Sequence, residues 1–177
     1  INSDPTDIFK GFDTFFNKNE YFKHLEVGIT SSKDYMLLDN IHLSLWHRDK
    51  TSTTGDPDGW GFVLSGTKYI DEKFLPFVRF AHTEDAGSLL QNSLAMGFGY
   101  QPVQGSHLLA GAFNWGQVNE TIFEPGLDDQ LTFEIFYRIQ LSSRFAVTPD
   151  VQFLINPALN PEQSSLFLWG IRGRIVL

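Results

Sequence analysis

Cysteine is absent from the 177-residue chain, which excludes a disulfide framework and any thiolate metal site. That absence also suits passage through an oxidising periplasm. No stretch approaches the roughly 18–20 consecutive apolar residues that a membrane helix requires. Cations are few: 13 Lys and Arg stand against 21 Asp and Glu, a formal net charge of −8. A chain so short of positive charge has no basic face to offer nucleic acid. The five histidines (His24, His42, His47, His82, His107) include no i, i+4 pair of metal ligands, so no metal site is expected. Asp56–Pro57–Asp58–Gly59 lacks the rest of a calcium-binding loop and reads as a turn. There is no Gly-x-Ser-x-Gly elbow and no phosphate-binding loop, and no cofactor is expected. The sequence opens without Met and without a basic segment leading into an apolar one, so an export signal is expected to have been removed or to lie outside this chain.

Aromatic residues, by contrast, reach 15%, with 17 Phe, while charged residues are only 19%. Their arrangement explains the combination. Between Asp129 and Ser142, Leu131, Phe133, Ile135, Tyr137, Ile139 and Leu141 alternate with Gln130, Thr132, Glu134, Phe136, Arg138 and Gln140. Phe145–Ile155 repeats the pattern, with Phe145, Val147, Val151, Phe153 and Ile155 against Thr148, Asp150 and Gln152. Phe167–Leu177 sets Phe167, Trp169, Ile171, Gly173, Ile175 and Leu177 against Arg172 and Arg174. A period of two means β-strand, since successive side chains leave opposite faces. Strands of about eleven residues are long for a soluble sheet but suit a tilted crossing of a bilayer. Arginine opposite an aromatic and aliphatic stripe points to a wet lumen and an oily exterior, which is the pattern of a transmembrane antiparallel β-barrel.

Further strands are predicted at His24–Thr30, Asn40–Arg48, Trp60–Thr67, Phe74–Thr83, Asn92–Gln101 and His107–Trp115, nine in all, within one domain. Residues 1–22 precede this wall of 23–177. Ile8, Phe9, Phe12, Phe15 and Phe16 have helix-like spacing there, so a short amphipathic helix or folded loop is expected. Most acids fall between the strands and read as solvated loops. The connections Asp49–Gly59, Gly116–Asp128 and Asn156–Ser165 are long, whereas Lys68–Lys73, Pro102–Ser106 and Ser142–Arg144 are short. Outer-membrane barrels have short periplasmic turns and longer extracellular loops, and placing the last strand's end in the periplasm satisfies this parity. Nine is nevertheless odd where single-chain bacterial barrels have even numbers. An open edge in lipid would leave backbone groups unpaired. Either the His24–Thr30 span is not a strand or the chain is a piece of a larger barrel, and the second is expected.

Phe133–Glu134–Ile135–Phe136–Tyr137–Arg138–Ile139–Gln140–Leu141, Thr148–Pro149–Asp150–Val151–Gln152, Ile155–Asn156–Pro157–Ala158 and Gly170–Ile171–Arg172–Gly173–Arg174 form a succession of segments. Together they resemble the carbohydrate-selective porin family, often called the OprB type. Upstream, Leu45–Trp46, Gly59–Trp60–Gly61–Phe62 and Pro76–Phe77–Val78–Arg79–Phe80 look similar to the same family, and the resemblance spreads over about Leu25 to Leu177. It implies a sixteen-stranded sugar channel in the bacterial outer membrane, of which this chain is roughly the C-terminal half. One departure is the final Leu177, where the family usually ends in an aromatic residue.

If Leu131, Phe133 and Ile135 face lipid, then Glu134, Arg138 and Gln140 face the channel, as do Asp150, Gln152, Arg172 and Arg174. The same alternation turns Phe77 and Arg79 inward in one strand, and His42, Ser44, Trp46 and Arg48 in another. A sugar presents hydroxyls and weakly apolar ring faces. Trp46 and Phe77 are therefore candidate stacking residues. Arg79, Glu134, Arg138, Asp150, Gln152, Arg172 and Arg174 form the candidate polar track. The alternative is that these charges neutralise one another in Arg–carboxylate pairs. Gly97–Phe98–Gly99 reads as room for a bulky lumen neighbour. Expected partners are small sugars, outer-membrane lipid and lipopolysaccharide, the barrel-assembly machinery through the last strand, and a homo-oligomer. The rival readings are a non-specific porin, a small lipid-acting barrel enzyme, and a soluble ligand-binding barrel, which would keep its apolar face inside.

Overall fold

Nine antiparallel strands follow one another around a single sheet in the computed structural model, which describes residues 18–123 and 126–176. They are β1 (Phe22–Thr30), β2 (Asn40–Arg48), β3 (Gly59–Thr67), β4 (Phe74–Asp85), β5 (Leu90–Tyr100), β6 (Leu108–Val118), β7 (Gln130–Gln140), β8 (Phe145–Ile155) and β9 (Ser165–Ile175). Each strand pairs only with its neighbours in sequence, so β1 and β9 are edges and the sheet does not close on itself. The short helix or folded loop expected around Ile8–Phe16 and the terminal Leu177 lie outside the described residues, as does the acidic Glu124.

All nine predicted strands are present. β1, β5 and β9 begin two residues before their predicted starts, and β4 and β6 run on past their predicted ends. β4 continues to Asp85, where left-handed backbone at Asp85, Ala86 and Gly87 (φ 56°, 56° and 67°) reverses the chain. β6 continues to Val118 because Asn119 anchors the start of the next connection, its amide nitrogen donating to Leu89 O at 3.1 Å and its side chain to Ser88 O at 2.9 Å. Connection 31–39 is long where its end of the sheet otherwise carries shorter turns. Connection 86–89 is the short one at the other end.

The two faces of the sheet differ in chemistry as the alternation requires. Directly paired residues of antiparallel strands point the same way, so the register assigns every strand. Ile41, Leu64, Val78, Met96, Phe133, Val151 and Trp169 belong to one face and are all exposed. Aromatic pairs reinforce that face, among them Phe113–Phe133 with ring centres 5.0 Å apart and Phe62–Phe80 at 5.8 Å. The opposite face carries Glu26, His42, Ser65, Arg79, Asn114, Glu134 and Asp150, and most of it is half-buried, as on the inside of a curve. So large an exposed apolar area is unfavourable in water at about 25 cal/mol per Å2. It is the normal outer surface of a barrel wall in lipid.

Charged clasps sit at both rims. At the far end of β1 and β2, Lys23 Nζ lies 3.1 Å from Asp49, and His47 Nδ1 lies 3.4 Å from the same carboxylate. The Tyr21 N–H also donates to Asp49 at 3.0 Å. Burial would raise the Asp49 carboxyl, but Lys23, the Tyr21 amide and His47 outweigh it and hold the carboxyl below its ordinary value of 3.8. A depressed carboxylate stabilises the fold above its unfolded value and loses that contribution as pH falls through the lower folded one. The clasp should therefore persist at neutral pH and loosen only on acidification below the usual carboxylate range. A carbon-13 NMR titration of Asp49 should give a midpoint under 3.8. A midpoint at or above that value would show that the clasp does not form.

Candidate functional site: the inner wall

Cross-strand register sorts the inner face into levels around the wall. One level runs from Phe77 through Gly97, Ala112 and Glu134 to Gln152. The level beside it runs from His42 through Ser65, Arg79, Ala95, Asn114 and Thr132. Two of the candidate groups are thus brought together: Phe77 and Arg79 on β4 face Glu134 and Gln152 on β7 and β8. Between them lies a floor of Ala95, Gly97 and Ala112. Strands spaced about 4.8 Å apart put roughly 14 Å between β4 and β7. That gap has an aromatic plate on one side and carboxylate and amide oxygens on the other.

Phe77 packs against its cross-strand neighbour. A Cβ added to Gly97 would come within 2.7 Å of the Phe77 ring, so the ring lies over the glycine on the inner face. This is the bulky neighbour that the Gly97–Phe98–Gly99 pair accommodates. Trp46 uses the same device over Gly61, where an added Cβ would meet the indole at 2.5 Å, and it also stacks on Phe22 at 6.0 Å and 25°. Trp46 is nevertheless distant from Phe77. Asn40 shares the Phe77 level through Thr67, and Trp46 lies six residues further along β2, roughly 20 Å at 3.3 Å per residue. It belongs to the opposite rim.

The remaining candidates gather elsewhere. Arg138, Arg172 and Arg174 sit toward the 141–144 turn, four to six residues along their strands from the Glu134 level. Asp150 lies between these groups and is folded onto Gly170, whose added Cβ would meet its carboxylate at 2.5 Å. Arg–carboxylate neutralisation does not occur among them: Arg79, Glu134, Arg138, Asp150, Arg172 and Arg174 take no part in the ion pairs of the described residues, which are Lys23–Asp49, His47–Asp49, Arg48–Asp56 and Lys68–Asp39.

The inner wall also carries hydrogen-bonded polar pairs outside the candidate set, on two adjacent levels. Ser44 donates to Glu26 at 2.9 Å, His42 Nε2 and Ser65 Oγ are 2.7 Å apart, and Asn114 donates to Ser93 at 3.0 Å. The signal was available, since each residue alternates with an apolar one. Short neutral side chains simply stand out less than arginine.

The profile of the family described as carbohydrate-selective porin, OprB family, matches residues 89–177. The chain belongs to the OprB family of carbohydrate-selective porins. Among solved structures, the high-pH structure of Pseudomonas putida OprB superposes with a TM-score of 0.67 at 12% identity, covering 96% of this chain. At that identity the likeness is one of fold, and it places the nine strands within a porin barrel. The chain spans 52% of the length of that structure. No curated protein matches the sequence.

Proposed function

We propose that the chain forms part of the wall of a bacterial outer-membrane porin through which small carbohydrates diffuse passively. The observation that carries this reading is the placement of Phe77, Arg79, Glu134 and Gln152 around one smooth stretch of inner wall, on a sheet whose outer face is apolar. A sugar crossing there meets a flat ring for its C–H face and charged or amide groups for its hydroxyls, which is how a wet lumen selects without reacting. Membership of a porin family favours a channel over the lipid-acting enzyme. The exposed apolar face is the reverse of what a soluble ligand-binding barrel presents. The full wall is a sixteen-stranded barrel, with connections 49–58, 86–89, 119–129 and 156–164 outside the cell and the end of β9 in the periplasm. Its other partners are outer-membrane lipid and lipopolysaccharide against the outer face, the assembly machinery at β9, and further copies of the porin.

Single-channel conductance of the full-length porin, titrated with glucose, tests the reading. Steady open current with saturable sugar block is the expected result. Current that sugar leaves unchanged would mean a general porin, and no current would overturn the channel itself. Phe77→Ala should raise the half-blocking glucose concentration about two- to tenfold, the value of roughly 0.5–1.5 kcal/mol for an aromatic contact. An unchanged value would remove Phe77 from the sugar path.

A further inference from the structure

Where β7, β8 and β9 approach the 141–144 turn, the inner face holds a recess of about 380 Å3 lined by Arg138, Gln140, Ser143, Arg144 and Arg174. Ala146, only 2% exposed, contributes its floor. The turn delivers Arg144 to this place: the Arg144 and Phe145 amides both donate to Ser142 Oγ, at 3.3 and 3.1 Å, which fixes the reversal at Ser143. Arg174 pairs with Ala146 and Ala146 with Gln140, so all three belong to one level of the inner face.

Among the described residues no carboxylate side chain lines the recess. None of the three guanidiniums takes part in an ion pair of the described residues, and Arg138 Nε is buried without a hydrogen-bond partner. Asp150, the nearest acid along β8, is folded onto Gly170 instead. Three cations along one recess repel one another, and no acid of the described residues pairs with them to offset it. A guanidinium offers a planar fork of N–H donors that matches the oxygens of phosphate or carboxylate. The volume falls within the ~300–1,000 Å3 range of small-molecule sites, so it holds more than a bare anion.

We propose that this recess is an oxyanion site at the turn end of the channel, taking the phosphate or carboxylate of an acidic saccharide. The proposal rests on the channel reading and gives it a substrate class, since a neutral sugar leaves the three charges uncompensated. Arg138 and Arg174 hold the anionic group, Arg144 closes over it from the turn, and Gln140 and Ser143 serve the sugar hydroxyls.

The test uses the full-length porin in a planar bilayer at fixed ionic strength, with glucose, glucose 6-phosphate or inorganic phosphate added on the side of the 141–144 turn. Glucose 6-phosphate should half-block at about a tenfold lower concentration than glucose, the scale of one charge-assisted hydrogen bond. Arg144→Gln, outside the sugar track of the middle wall, should weaken that block severalfold and leave glucose block unchanged, and Arg144→Lys should restore part of it. Competition by inorganic phosphate would support the site and assign its recognition to the oxyanion. Equal block by glucose and glucose 6-phosphate would overturn the proposal, as would phosphate block that Arg144→Gln leaves intact. Loss of all current in the unaltered porin would instead overturn the channel, so the two failures are distinguishable.

Discussion

Arginine in place of Ile135 should destabilise the folded wall by about 2–4 kcal/mol, the cost of a cation facing lipid near mid-membrane. Arginine in place of the adjacent Glu134 should leave folding intact and change conduction alone. The two positions are one residue apart on β7 and differ only in the face they occupy. Ile135 pairs with Gly111 and Val151 on the outer face and is 48% exposed. Glu134 pairs with Ala112 and Gln152 on the inner face. Water in the lumen solvates a new arginine at Glu134, whereas at Ile135 the guanidinium must reach several residues to the interface or draw water into the membrane. Reversible urea unfolding of the full-length porin in lipid vesicles measures both. Equal losses at the two positions would mean that the assignment of faces is wrong.

Valine in place of Gly97 should cost more than about 3 kcal/mol, beyond ordinary overpacking of a core, and should prevent assembly of the barrel. The first added carbon would collide with the backbone carbonyl of Gly111 on β6 and lie 2.7 Å from the Phe77 ring. A side chain can swing aside, but a carbonyl engaged in the β5–β6 ladder cannot move without breaking that pairing. Gly173→Val is the control, because nothing lies within 4 Å of its added Cβ and the site is on the outer face of β9. It should stay within about 0.5 kcal/mol of the unaltered protein. Heat-modifiable migration on gels reads both. A folded Gly97→Val barrel would show that Phe77 and the ladder have more room than the register allows.

The strands were legible because a barrel wall writes its two environments into alternate residues. Even β1 could be read, since Leu25, Val27 and Ile29 alternate with His24, Glu26 and Gly28. Boundaries were less legible where geometry rather than polarity decides them: a register irregularity between Leu90 and Asn92 starts β5 before its alternation does. The inward face of each strand was legible too, which is why Phe77, Arg79, Glu134 and Gln152 could be named. Their grouping was not. Which residues share a level depends on how far each strand is staggered against the next, and that follows from turn conformations such as the left-handed Asp71 and Glu72 (φ 51° and 53°) between β3 and β4. Alternation carries no record of stagger, so Trp46 and Phe77 looked equivalent although roughly 20 Å of strand separates their levels. The arginines near the 141–144 turn looked like members of one continuous track for the same reason.

The two edges of the sheet have a consequence for symmetry. With nine strands alternating in direction, β1 and β9 run the same way across the membrane. A second copy, turned about the membrane normal, would preserve that direction and bring β9 beside β1 in parallel. Two such sheets therefore cannot meet in an unbroken antiparallel ring. Whatever completes the circle must contribute an odd number of strands whose first and last run opposite to β1 and β9, so it enters the membrane in the reverse sense to this wall.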